Sequence, residues 1–491
     1  MIDMDVSNEI EQPRASLINL NEALKYENYI KKKRNIRIGL IIGGAILAII
    51  LIIVIIVLAK SGNSDNTDDK KKQTFVNIIK AKYFTEKDNE TIKIINENVN
   101  NELNIELFIN GEKKTFNNEY NFEEQNEYFI EFKFIKDLKN LSELFMNINN
   151  LKDIDLSGIK TDKVKSMDKL FYKCESLEIV NLTNLNTYNV ETMKSMFEGC
   201  INLKEVYMRN FTTLNTINTN SMFRNCYNLT NINNDFLDLT KTEDASYMFE
   251  KCLSLKGITL KNDKKSSSIE MKSMFSHCYS LKSIHLHNFE RKKIKTIDYM
   301  FNECQSLESI DLSKFDTSDV ASISYLFSNC ASLKTIDISE MNFKNVIHMS
   351  YSFKYCTSLT NINLTNLNTD SAQTMQGLFF GCSSLESIEI KNLLNVSTLT
   401  DIFNGCTSLK NVTLNAIKVT HADRVFKECN SLQYIDLSNF NANDIQLYIN
   451  DFFPTNANNV TLVYNSSLIG ALKNRIPEEW NTIDVNNETI Y

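Results

Sequence analysis

Between Val320 and Ile338 the chain changes its hydrophobic period. Apolar side chains stand at Val320, Ile323, Leu326, Phe327, Cys330 and Leu333, spacings that place them on one stripe of a helix. Ile336 and Ile338 then flank polar Asp337, the alternation of a strand with one buried face. The pattern predicts a short helix feeding a short strand, and it recurs. Cysteines at 174, 200, 226, 252, 278, 304, 330, 356 and 382 lie 26 residues apart, followed by 406 and 429. Each has Phe three residues before it and Leu three residues after it. A period of this length around an L-x-x-I-x-L core marks a solenoid whose coils bury their stripes against one another. Residues 141–440 are therefore expected to form an α/β solenoid of about 12 turns, each a short helix plus a short parallel strand. The first turn is degenerate, with Phe145 and Leu151 in frame and Ile148 in the cysteine position.

The polar loops between units contain Asn186-Thr187, Asp316-Thr317 and Asn368-Thr369, residue types that cap helix amino termini. Residues 74–140 read instead as strands at Thr91–Ile95, Leu103–Ile109 and Tyr128–Ile135, with a hairpin signal at Asn110-Gly111. They form a β-rich module expected to cap the first turn. Residues 441–491 contain a strand, a short helix and a terminal strand, an α/β cap for the far end that holds the only Trp.

Residues 1–35 are polar and lack a period long enough to fold alone. From Ile38 to Ala59 no side chain is charged, a run of 22 residues within the apolar segment 36–60 that is long enough to cross a bilayer as a helix. Lys31, Lys32, Lys33, Arg34 and Arg37 crowd its amino-terminal flank, so residues 1–35 are expected in the cytoplasm and the repeats outside. This predicts a single-pass signal-anchor protein of the cell membrane, with residues 61–73 as a polar linker. Gly39 and Gly43 form a G-x-x-x-G step at which two such helices could pack as a homodimer.

Net charge is −8, which argues against nucleic-acid binding through a generally basic surface. The eleven cysteines occupy one place on an apolar stripe in an odd number and form no C-x-x-C, so they read as buried free thiols and not as a zinc site or disulfide framework. His285 and His287 lie on one face of a strand without a carboxylate nearby in sequence, so no metal is assigned. No nucleophile elbow, phosphate-binding loop or metalloprotease motif occurs. The sequence therefore predicts no catalytic residue, no cofactor and no enzyme.

Binding suits the architecture better, because the exposed strand positions vary while the core repeats. The candidate ligand contacts are Tyr207, Arg209, Lys261, His285, His287, Arg291, Lys292, Lys293, Asp311 and Asp337. Residues 251–295 contain eleven Lys or Arg and three acids, a net of +8 that predicts a patch for anionic glycans or acidic proteins. N-x-S/T sequons all follow the apolar segment, and Asn181, Asn210, Asn228, Asn363 and Asn411 are candidate glycosylation positions.

The wording of the repeat, as in Ser195-Met196-Phe197-Glu198-Gly199-Cys200 and in the run from Cys304 to Thr317, resembles the BspA-like leucine-rich-repeat surface proteins of bacteria and protists. The resemblance covers residues 141–440. It implies a cell-surface protein that binds host or neighbouring-cell molecules, and it supplies no catalytic residues. The expected function is adhesion or ligand binding, of protein or glycan, through the exposed sheet face. The alternative is a single-pass receptor that signals through a partner of its cytoplasmic tail.

Overall fold

In the computed structural model the eight apolar residues that define the unit from Val320 to Ile338 are at most 5% exposed. Their backbone is not helical. Leu326, Ser328 and Cys330 donate their N–H groups to the carbonyls of Ile323, Tyr325 and Phe327, three residues back (3.1–3.2 Å). Between them Ile323, Tyr325, Phe327 and Asn329 donate to His348, Ser350, Ser352 and Lys354 of the next coil (2.7–3.0 Å). Tyr325 and Asn329 have φ of 59°, as the third residue of a type II turn requires, and such residues cannot belong to an α-helix. The same left-handed pair stands five and one residues before the cysteine throughout the array, for example Lys169 and Lys173, or Asp401 and Gly405.

The expected helix is thus a run of tight turns, and the fold is a β-solenoid of about 11 turns with little helix, not an α/β one. A chain of tight turns and a helix both bring a side chain inward every three or four residues, so the spacing alone does not distinguish them. Thickness does. Parallel strands repeat every ~4.8 Å, whereas a helix is about 10 Å wide. On the turn side of the coil, rings of successive phenylalanines from Phe145 to Phe426 stack 5.1–6.0 Å apart and within 17° of parallel. That separation admits turns and excludes helices. Phe132 closes the ladder edge-on at one end and Phe452 at the other.

Each of the eleven cysteines is buried with a free thiol. Each thiol donates to the carbonyl of the phenylalanine in the preceding coil, from Cys174 on Phe145 (2.9 Å) to Cys429 on Phe403 (3.0 Å). Ile148 can replace cysteine in the first coil because no phenylalanine carbonyl of an earlier coil exists to receive a thiol. The loop threonines do not cap helices. Thr187 and Thr317 are buried, and their hydroxyls donate to Thr212 and Asn342 carbonyls of the following coil (2.7 and 3.0 Å).

Among the described residues six strands precede the repeats: β1 (Asn77–Phe84), β2 (Glu90–Lys93), β3 (Ile105–Ile109), β4 (Glu112–Lys114), β5 (Glu119–Phe122) and β6 (Glu127–Phe134). Asn110 and Gly111, both at positive φ, turn β3 into β4. β1 pairs antiparallel with β6 on one side and on the other with β7 (Leu151–Gly158), the first strand of the repeats. The module therefore shares one sheet with the solenoid. β7 continues in parallel into β8 (Ile179–Asn181), β9 (Glu205–Tyr207) and β10 (Asn231–Asn233), one strand per coil. At the far end strands Thr461–Tyr464 and Asn481–Asp484 extend the parallel ladder around a 3-10 helix, Gly470–Arg475, and the buried Trp480 indole donates to the Ala457 carbonyl (3.0 Å).

The structure describes residues 77–97, 104–233, 237–262, 268–287, 289, 292–313, 315–364, 369–442 and 449–486. The tail, apolar segment 36–60 and linker lie outside them. Among the described residues no helix is long and apolar enough to cross a membrane.

Candidate functional site

Among the described strand residues, those six and eight past the cysteine point inward, and those five, seven and nine past it lie on the outer face. Parallel pairing aligns these outward residues in rows. At the amino-terminal end the antiparallel module extends the rows, so that Phe129, Lys82, Asp153, Ile179 and Glu205 lie side by side across five strands, and so do Glu131, Lys80, Asp155, Asn181 and Tyr207. Phe129 is 61% exposed, and Ile179 and Tyr207 are each 38% exposed. A concavity of about 320 Å³ opens among Lys80, Lys82, Phe129, Asp153, Asp155 and Ile179. Lys82 is held by Glu127 at 2.7 Å, and burial raises the Asp153 carboxyl above its usual value. This is an apolar surface edged by charges of both signs. A second concavity, about 410 Å³ and mostly polar, lies where strand Asn361–Asn363 and strand Ser387–Leu393 are not hydrogen-bonded to one another.

The expected contacts divide into groups. Tyr207 and Arg209 are exposed, and the Tyr207 hydroxyl is bound by the Glu205 carboxylate. Strand Gly257–Lys261 pairs with strand Ser283–His287, setting Thr259 beside His285 and Lys261 beside His287 on the exposed face. Lys261 also reaches the buried carboxylate of Asp238 at 3.6 Å. Arg291 lies outside the described residues. Lys292 and Lys293 belong to strand Lys292–Thr296, which pairs with Ile269–Glu270 and Phe315–Asp316 in a different sheet. Lys261 and Lys293, close in sequence, therefore lie on strands of different sheets. Lys293 and Lys295 have acidic neighbours, Asp319 (3.5 Å) and Glu270 (3.7 Å).

Asp311 and Asp337 are exposed neighbours on the sheet, but their carboxylates have local work. Each accepts the N–H of the serine two residues on, Ser313 or Ser339 (both 2.9 Å), an Asx turn that ends the strand. The Ser339 hydrogen bonds lower the Asp337 carboxyl below its ordinary value. Asp436 with Ser438 and Asn181 with Thr183 repeat the arrangement, so D-x-S and N-x-T at this place in the unit were legible signals of turns. Of the sequon residues, Asn210 and Asn228 are exposed with their side-chain amides on Asn184 (2.7 Å) and Asn202 (3.2 Å), and Asn363 and Asn411 are exposed on strands. Phe129 and Ile179 were not among the expected contacts. Their signal was an apolar residue in the outward register, where other units have Glu205, Asn231 or Ser283.

No group of three or more His, Cys, Asp or Glu side chains is placed to hold a metal ion among the described residues. Burial pushes the thiols of Cys174 and Cys382 up to about 12, so they stay protonated at neutral pH.

Sequence profiles match the repeats. Residues 139–262 and 269–393, half of the chain, match the family described as Mycoplasma protein of unknown function, DUF285. Residues 347–471 match the BspA type leucine-rich-repeat region. No curated protein sequence matches. Among solved structures, a leucine-rich-repeat protein from Eubacterium ventriosum is 17% identical, with 57% of this chain and 85% of that one covered and a TM-score of 0.30. One from Leptospira interrogans is 16% identical, covering 70% and 93%, with a TM-score of 0.24. The TLR13–ssRNA13 complex is 16% identical at a TM-score of 0.26, covering 69% of this chain and 58% of that one. With the DUF285 profile across half its length and BspA-type repeats continuing to residue 471, the chain belongs to the BspA-like leucine-rich-repeat family.

Proposed function

We propose that the chain is a cell-surface adhesion or ligand-binding protein, anchored by residues 36–60, whose solenoid holds a protein ligand on its exposed sheet face. The observation that carries this reading is Phe129, 61% exposed beside a concavity and in line with Ile179. An interface typically centres on such an apolar anchor with a charged rim, here Lys80, Lys82, Glu131 and Asp155. Phe burial stabilises by about 1.5–3 kcal/mol, so covering the exposed part of Phe129 contributes roughly 1–2 kcal/mol, five- to thirtyfold in affinity. The full-length chain in detergent is screened against matrix proteins, cell-surface proteins and glycans. Capture of a surface protein, weakened by Phe129→Ala and Ile179→Ser, is the expected result. Failure to bind any of them, or binding indifferent to both substitutions, would overturn the reading.

A further inference from the structure

A second surface lies at the corner where each coil enters its strand. One residue past the cysteine, successive coils place Ile201, Tyr227, Leu253 and Tyr279, of which Tyr227 and Tyr279 are 37% and 39% exposed and the other two half-buried. Backbone hydrogen bonds hold this row in register, Ser254 N–H on the Tyr227 carbonyl and Ser280 N–H on that of Leu253 (both 3.2 Å). Three residues on, at most about 11 Å along the chain, runs a second row that carries charge. Over most of its length it alternates in ion pairs between adjacent coils: Glu178 with Lys204 (2.6 Å), Glu308 with Lys334 (3.4 Å) and Glu386 with Lys410 (3.2 Å).

The alternation fails beside the apolar row. There the neighbours are Lys256 and Lys282, both exposed, with Lys282 N–H bonded to the Lys256 carbonyl at 3.0 Å. Thr230 precedes them, and the acid that follows, Glu308, faces Lys334. Neither Leu253–Lys261 nor Tyr279–His287 contains an acid, and Gly257 and Ser283 leave the adjoining strand positions small. Like charges on neighbouring coils, whose chains run about 4.8 Å apart, repel, and an anion between them removes the penalty. In a chain of net charge −8, this local cationic edge is the place where the surface field favours an acidic partner.

We propose that the edge where Tyr227, Leu253 and Tyr279 meet Lys256 and Lys282 docks an acidic protein segment that carries apolar side chains between its carboxylates. The aliphatic Leu253 decides between a peptide and a polyanionic sugar. Sugar hydroxyls laid on Leu253 would lose water without a hydrogen-bonding partner, whereas an apolar side chain gains from the contact. This site is separate from the Phe129 surface and does not depend on it.

The test uses the full-length chain in detergent and fluorescence polarisation of a synthetic peptide alternating Glu with Leu and Tyr. Two variants of the peptide, Gln for Glu and Ala for Leu and Tyr, and dextran sulfate as competitor complete the set. The peptide is expected to bind, and each peptide variant to bind at least tenfold more weakly. Lys256→Glu with Lys282→Glu, and separately Tyr227→Ser with Tyr279→Ser, should each cost at least tenfold at an unchanged melting temperature, while Lys344→Glu changes nothing. Absence of binding, equal binding of the Ala peptide, full displacement by an equal charge of dextran sulfate, or indifference to the lysine reversals would each overturn the proposal. If ligands are still captured through Phe129 in any of those cases, only this second site falls.

Discussion

Replacing Cys330 by serine and by alanine tests whether the thiol column holds the coils together or merely fills space. Cys330 is fully buried, and its thiol donates to the Phe301 carbonyl at 3.1 Å. Alanine removes a sulfur roughly equivalent to a methylene, about 0.8 kcal/mol of burial, and leaves a small void worth about 0.6 kcal/mol. It also removes a hydrogen bond worth about 0.5–1 kcal/mol, for a total near 2 kcal/mol. Serine loses the burial but keeps a donor, so its cost should be about 1 kcal/mol. The structure already contains such a hydroxyl: buried Ser352 donates to the Ile323 carbonyl of the preceding coil at 2.8 Å. Were packing the whole role, the order would reverse, because serine would then bury an unpaired hydroxyl at about 1–3 kcal/mol. Urea unfolding of the two variants, with amide exchange of Leu326 to Leu333 to localise the effect, gives the order. A serine variant less stable than the alanine variant would refute the hydrogen-bonding role of the thiol.

Other outcomes follow from the same contacts. Burial raises the folded-state value of Cys174 and Cys382 from 9.0 to about 12, so the folded chain retains protons that the unfolded chain releases. The stabilisation is fully present below pH 9 and is lost as pH rises toward 12, at up to about 1.4 kcal/mol per thiol per pH unit. The urea midpoint should therefore fall steeply above pH 9 and less so when several cysteines are serine; a flat profile contradicts this. Gly377→Ala would drive a Cβ into the Tyr351 ring, yet left-handed residues at the same place elsewhere are Tyr325 and Ser273, so the ring and not φ demands glycine. Thermal melting should show a loss of about 2 kcal/mol in the native background and about 1 kcal/mol or less alongside Tyr351→Ala. Phe275→Ala, in the middle of the ring ladder, should cost about 3–5 kcal/mol and Phe275→Leu distinctly less, by the same urea assay.

Much of the fold was legible before any coordinates, because a one-dimensional repeat writes its core into the sequence once per coil. Phe327, Cys330, Leu333, Ile336 and Ile338 were placed inside by spacing, and all are inside. The backbone between Val320 and Cys330 was not legible, since the turns at Tyr325 and Asn329 and a helical stripe repeat at nearly the same interval. β1 was likewise missed: Asn77–Phe84 reads as a strand only once β6 and β7 accept it from both sides. Of the site, the outward register of His285, His287 and Lys261 followed from alternation, whereas the separation of Lys292 and Lys293 from them depended on which sheet each strand joined.

The sequence by itself determined which residues face inward, the interval at which they repeat and where cysteine recurs, because burial acts on each side chain locally and with a period. Only the tertiary structure decided how the backbone satisfies its hydrogen bonds between coils and which charges meet. The spacing near 5 Å set by neighbouring coils excludes helices, gives each cysteine thiol a carbonyl to bind, and pairs Glu178 with Lys204 while leaving Lys256 beside Lys282.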